Sequence, residues 1–197
     1  MKQFSFAIFF FTVSFLAKSQ VDFGIKSGIN LNQLKSDAYL VSGGKNSTKN
    51  SSVAFHVGVF VDISLNKRFS LTGEIQYSRR GDDFSKNANY LEIPIIATYK
   101  PIRIIGIQLG IGPGVFLSSE SNYGFKSDLG LLSGINIKLS NRINFLARYS
   151  YGLTPTILRE PPGLTYNGIT LDSEIKEIKA YNNAAQIGIC VRLTNPK

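Results

Sequence analysis

Few side chains in this chain are equipped for chemistry, and their spacing decides what they can do. His56 is the single histidine. As a general base it would need a nucleophile such as Ser78 or Ser150 beside it and a carboxylate to orient it, the arrangement of a hydrolase. Neither serine lies in a nucleophile-elbow motif. Cys190 is the single cysteine, so it forms no internal disulfide, and nothing near it has metal-ligand spacing. It reads as a buried spectator thiol, and no metal, cofactor or catalytic residue is expected. What remains is a scattered set of charges: Lys26, Asp62, Glu74, Arg80, Glu92, Lys126, Asp128, Lys138, Arg148 and Arg192. Each falls on the polar side of an alternating apolar/polar pattern, and so does His56.

That pattern is clearest over residues 53–80. Val53, Phe55, Val57, Val59, Val61 and Ile63 take every second position, and after a break at Asn66 and Lys67 the rhythm resumes with Phe69, Leu71, Gly73, Ile75 and Tyr77. Successive side chains of a strand point to opposite faces, so the segment is a hairpin with one apolar and one polar, charged face. A lipid-facing apolar side around a polar lumen satisfies such a hairpin without a second sheet. The same alternation marks strands at 23–31, 90–100, 102–116, 125–139 and 143–153, and a last one carries Ala185, Ile187, Ile189, Val191 and Leu193 outward. Pro94 and Pro113 interrupt two of them, since each lacks a ladder N–H.

Eight strands result, joined by connections that alternate long and short. The long ones are 32–52, 81–89, 117–124 and 154–181, read as loops. Short turns on one side and long loops on the other are the habit of outer-membrane barrels. The expected fold is therefore all-β, an eight-stranded antiparallel up-and-down transmembrane β-barrel. Its outward set is almost free of charge, as a lipid face requires when a midplane Arg or Lys costs about 2–4 kcal/mol. Phe23, Phe69, Tyr99 and Phe145 at one end, and Phe55, Tyr77, Tyr149 and Tyr151 at the other, suit aromatic girdles.

The chain is 197 residues long with a formal net charge of +9 and no tryptophan. No compact basic cluster with interleaved aromatics accompanies that charge, which argues against nucleic acid as a partner. Residues 1–19 have a basic start, an apolar run and small residues at Ala17 and Ser19, the pattern of a cleaved secretory signal; cleavage after Gln20 fits as well. Residues 20–197 then form the barrel domain, with a bacterial outer membrane as its destination.

Three stretches carry a family resemblance. Gly24-Ile25-Lys26-Ser27-Gly28-Ile29-Asn30-Leu31 resembles the opening strand of the PorT-like outer-membrane β-barrel proteins of Bacteroidetes-type bacteria. Glu74-Ile75-Gln76-Tyr77-Ser78-Arg79-Arg80-Gly81 and Tyr90-Leu91-Glu92-Ile93-Pro94 resemble the central motifs of that family. Gln186 to Leu193 is similar to its closing strand, although Leu193 stands where an aromatic residue is usual. The resemblance implies an outer-membrane barrel and an accessory role in a secretion or gliding system.

An eight-stranded barrel is only wide enough for its own side chains. The expectation is a plugged lumen, with a charge network of Lys26, Glu74, Glu92, Arg148 and Arg192, acting as a structural or interaction barrel through its loops. Glu74 and Arg148 are expected to meet near mid-barrel with Lys26 close by, in space left by Gly106, Gly110 and Gly112. A small pore is the alternative, and a hydrolase using His56 a weaker one. A soluble calyx needs the inverse pattern, apolar inside. Partners are expected to be outer-membrane lipid and lipopolysaccharide, and a protein reached through 32–52 and 154–181, with the barrel itself monomeric.

Overall fold

The alternation in the sequence becomes a closed antiparallel ladder. A computed structural model of the chain describes residues 20–40, 44–80, 88–118, 127–158, 165–166, 169–170 and 175–194. The signal segment, the tips of the connections and Lys126 lie outside those residues. The strands are β1 (Gln20–Leu40), β2 (Lys45–Ser64), β3 (Phe69–Arg80), β4 (Ala88–Glu92), β5 (Ile95–Tyr99), β6 (Ile105–Ser118), β7 (Asp128–Lys138), β8 (Ile143–Gly152), β9 (Thr156–Leu158), β10 (Thr165–Tyr166), β11 (Ile169–Thr170) and β12 (Ile175–Arg192). Each wall strand pairs with its neighbour in sequence, and β12 returns to pair with β1 from Gly24↔Arg192 to Leu40↔Ile175. With β4 and β5 forming one wall, the ring has eight walls. Closure removes the free edges that would otherwise be left unpaired in lipid.

The break between β4 and β5 is chemical, not topological. Pro94 cannot donate to the ladder, yet its carbonyl accepts from Glu74 N at 2.9 Å, and Ile93 N donates to the Pro113 carbonyl at 2.9 Å. Register is kept across the gap, with Gln76↔Glu92 on one side and Gly73↔Ile95 on the other. The single strand expected at 90–100 is thus two assigned pieces of one continuous wall. A slip does occur between Asn89 and Tyr90 against β6, where Asn89 faces Ser118 and Tyr90 faces Phe116.

Outward residues form an apolar belt. Phe23, Ile25, Ile29, Val57, Val59, Ile75, Ile107, Leu109, Ile135 and Ile189 are all exposed, as lipid-facing residues are before lipid is added. No Asp, Glu, Lys or Arg occupies an outward position within 21–31, 53–63, 69–77, 91–99, 105–117, 129–137, 143–151 or 185–191. Spans of this length match the roughly 9–11 residues a tilted strand needs to cross a bilayer. At the short-turn end Phe69 and Tyr99 stack obliquely, centroids 5.0 Å apart, and at the other end Phe55 and Tyr77 lie 6.0 Å apart. Phe23, Tyr149 and Tyr151 are exposed, whereas Tyr77 is half-buried and donates from its hydroxyl to Asn89 Oδ1 at 2.6 Å.

Two of the expected loops are largely sheet in their described residues. Residues 32–52 continue β1 and β2 as a hairpin, paired from Asn32↔Ser52 up to Tyr39↔Lys45. From 154 to 181, β9 and the outer part of β12 are strands, and β10 and β11 form a small separate hairpin. The outer half of β1 is flanked by β12 as well as β2, and β9 adds to β12 at Ile178↔Leu158. The four strands make a ribbon rising above the belt on one side of the barrel. Lys, Asn, Ser and Thr hid it from the sequence. Above the belt no lipid faces the strands, so apolar alternation has no reason to persist while the backbone ladder still does.

Candidate functional site

The lumen is where buried chemistry collects. Its side chains come from the even positions of the strands, and they segregate into three layers along the barrel.

Glu74 of β3 organises the middle layer. Its Oε2 accepts from Lys26 Nζ of β1 at 2.6 Å and from Arg148 NH1 of β8 at 3.1 Å, while Oε1 accepts from Arg148 NH2 at 3.0 Å. Relative exposures of 2% for Lys26, 4% for Glu74 and 4% for Arg148 place the whole triad out of solvent. Arg148 also donates to Gln108 Oε1 of β6 at 3.3 Å. The structure thus brings together Lys26, Glu74 and Arg148 from three walls. The residue of β6 that reaches them is Gln108, not space beside the glycines: a Cβ on Gly106 would meet Thr98, one on Gly110 the Ile95 and Ile96 backbone, and one on Gly112 Leu132.

Glu92 and Arg192 belong to other layers. Toward the ribbon, Arg80 pairs with Glu92 and, at 2.9 Å, with Asp128 of β7; Gln76 donates to Glu92, and Asn182 donates to Asp128 at 3.3 Å. The Arg80 guanidinium lies 5.5 Å from the centre of the Tyr90 ring. Toward the short turns, Arg192 lies 3.7 Å from both Asp22 and Asp62; Thr72 donates to Asp62 at 2.7 Å and Thr194 to Asp22 at 2.8 Å. The expected single network is therefore three separate ones. Asp22 precedes the first strand expected at 23–31, and Gln76 and Gln108 are inward positions without charge, so none of the three belongs to the expected network. Leu132 also points inward, buried, a leucine that apolar-outward reasoning passed over.

His56 is fully buried between the middle and upper layers. Its Nδ1 is 2.8 Å from Asn30 Oδ1, and Asn30 Nδ2 donates to Ser78 Oγ at 2.8 Å. Asn30 therefore bridges the histidine and Ser78, its cross-strand neighbour on β3. Among the described residues, no hydrogen bond joins His56 to a serine or to a carboxylate. The ring occupies room provided by missing side chains: a Cβ on Gly28 would lie 2.7 Å from its Cε1, and one on Gly188 3.2 Å from its Nε2. Phe60, Leu146 and Cys190 form a small apolar cluster elsewhere in the lumen. Among the described residues no group of His, Cys, Asp and Glu is disposed to hold a metal.

Comparison with known proteins agrees with this architecture. A family model described as "Outer membrane protein beta-barrel domain" matches residues 11–158, more than half of the chain. Among solved structures, the outer membrane protein OprG from Pseudomonas aeruginosa is similar at 15% identity and a TM-score of 0.56, over 90% of this chain and 98% of that one. Neisserial surface protein A matches at 15% identity and a TM-score of 0.41, over 87% of this chain and 98% of that one. Ail, the attachment invasion locus protein of Yersinia pestis, matches at 15% identity and a TM-score of 0.38, over 85% and 98%. Of these likenesses only the one to OprG is close enough to bear on the argument, and it bears on the fold alone. No curated protein matches the chain.

Proposed function

The chain belongs to the outer membrane protein beta-barrel domain family and resides in the bacterial outer membrane, and from that premise we propose that it is a plugged interaction barrel working through its extracellular ribbon. The observation that carries the reading is the triad of Lys26, Glu74 and Arg148. Cations from two other walls converge on the Glu74 carboxylate in a lumen that, at eight strands, has room for little else. A second charged layer, Arg80 with Glu92 and Asp128, lies above it. Through-flow would have to break both sets of buried, hydrogen-bonded charges, at several kcal/mol each.

A barrel that does not conduct leaves its outer surface to do the work. The ribbon of β2, β1, β12 and β9 presents a paired, pre-ordered backbone, so a partner binding it avoids much of the ordering cost that a flexible loop would impose. Lipid and lipopolysaccharide contact the belt and its rim, and a protein partner engages the ribbon. The likeness of 24–31 and 90–94 to PorT-like barrels makes a component of a secretion or gliding system the first partner to seek. No catalytic step is assigned, because the hydrogen bond His56 makes is to Asn30, and among the described residues none joins it to a serine or a carboxylate.

Planar-bilayer recording separates this reading from the pore. The purified protein is expected to insert without steady single-channel current, and a stable ohmic conductance would refute the plug. A photo-cross-linker at Lys49 on the ribbon, used in intact cells, is expected to capture a discrete partner, whereas one at Asn141 on a short turn is not.

A further inference from the structure

Below the triad, on the short-turn side, the lumen opens into a cavity of about 140 Å³. That volume is far below the roughly 300–1,000 Å³ of pockets for drug-sized molecules. It suits an ion or a compact headgroup. Its walls are unequal in charge. Lys100, Arg103, Lys138, Arg148 and Arg192 line it, against two carboxylates, Asp62 and Glu74. Both carboxylates are already engaged, Glu74 by Lys26 and Arg148 and Asp62 by Thr72 and Arg192.

Donors are left over. The Nε–H groups of Arg148 and Arg192 are buried and have no acceptor among the described residues. Arg148, at 4% exposure, is fixed in place by its bonds to Glu74 and Gln108. Nearer the mouth, Arg103 and Lys138 are exposed, and among the described residues no carboxylate lies within ion-pair distance of Lys100, Arg103 or Lys138. A buried, unsatisfied N–H is costly, and one on a charged group more so. Here five cationic side chains, two of them carrying such a donor, line one small cavity. Charge-assisted bonds from guanidinium and ammonium groups are the usual means of holding phosphate-class anions.

We propose that this cavity is a binding site for a compact oxyanion of the phosphate class, entering from the short-turn mouth and held by Arg148 and Arg192 in its wall and by Lys100, Arg103 and Lys138 around the rim. The site is independent of the ribbon and of any partner bound there. Its ligand is a free phosphate or phosphate ester, because a bilayer headgroup outside the barrel wall cannot reach Arg148.

The test uses the full mature protein in maltoside detergent, titrated calorimetrically with inorganic phosphate against sodium chloride of equal ionic strength. Saturable binding to one site is expected, together with a higher urea midpoint in phosphate than in chloride. Arg103→Gln and Lys138→Gln, at exposed positions outside the triad, should each weaken binding by about tenfold, as loss of one charge-assisted bond does. Lys67→Gln and Arg68→Gln, on the same rim but outside the cavity, should leave it within about twofold. Retention of the faster-migrating band on unheated gels shows that each variant is folded. Absence of saturable binding, or equal weakening by the two pairs of variants, would overturn the site. So would binding of short-chain phosphatidylglycerol without binding of phosphate, which would move the contact to the outer rim.

Discussion

Removing Glu74 should cost more than removing either of its partners. In wild type, one carboxylate accepts from Lys26 at 2.6 Å and from Arg148 at 3.0 and 3.1 Å, all at side-chain exposures of 1–3%. Glu74→Ala leaves two buried cations facing each other with no counter-charge. Loss of one partner of a buried pair costs about 3–5 kcal/mol, and two orphaned cations place this variant at the upper end. Arg148→Ala leaves Lys26 on Glu74 as a balanced pair, and Lys26→Ala leaves the bidentate Arg148, so both belong at the lower end. The geometry also changes what a double substitution means. Glu74→Ala with Arg148→Ala still strands Lys26, so only a triple replacement of Lys26, Glu74 and Arg148 by apolar residues of similar volume should approach neutrality. Urea unfolding in detergent micelles, read from the folded and unfolded gel bands, gives the order Glu74→Ala lowest, then the single cation variants, with the double mutant less destabilised than the sum. Strict additivity, or an Arg148→Ala variant weaker than Glu74→Ala, would refute the reasoning.

The closed ladder between β1 and β12 should make the unheated protein migrate faster in SDS than the boiled one, and identical mobility would contradict closure. A cysteine at Ser47, on the ribbon, should be labelled by an impermeant reagent on whole cells, and one at Asn141 should not; reversed labelling would invert the barrel. Gly28→Ala places a methyl against the Ile187 carbonyl and the His56 ring, whereas Gly73→Ala meets nothing within 4 Å. The first should therefore lose about 1–3 kcal/mol in the same urea assay and the second less than about 0.5. On the ribbon, the Ser47 hydroxyl donates to Asp37 at 2.6 Å, and this bond, with Lys45 and Lys35 nearby, holds the Asp37 carboxyl below its ordinary 3.8. A depressed carboxylate stabilises the fold above its unfolded value and loses that contribution as pH falls through the folded one. Amide exchange protection at 45–49 should accordingly be flat between neutral pH and 3.8 and fall only below it; a loss between pH 7 and 5 would exclude this cause.

Alternation alone carried the sequence most of the way to the fold. A strand crossing lipid must put an apolar side chain at every second position, and that demand is local, written residue by residue in 53–63 and 69–77. The same period places Lys26, Glu74 and Arg148 inside before any contact is known. Where the local demand lapses, legibility lapses too. The ribbon above the belt is built from Asn32, Lys35, Ser47 and Lys49, residues that read as loop because no lipid face demands apolar alternation of them. Its strands exist because β1, β2 and β12 offer one another unpaired backbone, which is a tertiary fact.

Membership of the polar face was likewise legible, and partnership within it was not. Nothing in the order of residues distinguishes Glu92 from Glu74, yet one meets Arg80 and the other Lys26 and Arg148. Strand tilt and stagger set the height of each side chain in a closed barrel, and a carboxylate pairs with whatever donor reaches its height from another wall. Asn30 takes His56 for the same reason, and the cations around the lower cavity gather because Lys100, Arg103 and Lys138 end neighbouring walls at the same mouth. The sequence by itself determined which face each residue occupies, because facing is a property of one strand. Only the tertiary structure decided which charges neutralise one another and which are left over, because that depends on how eight strands are staggered around a common axis.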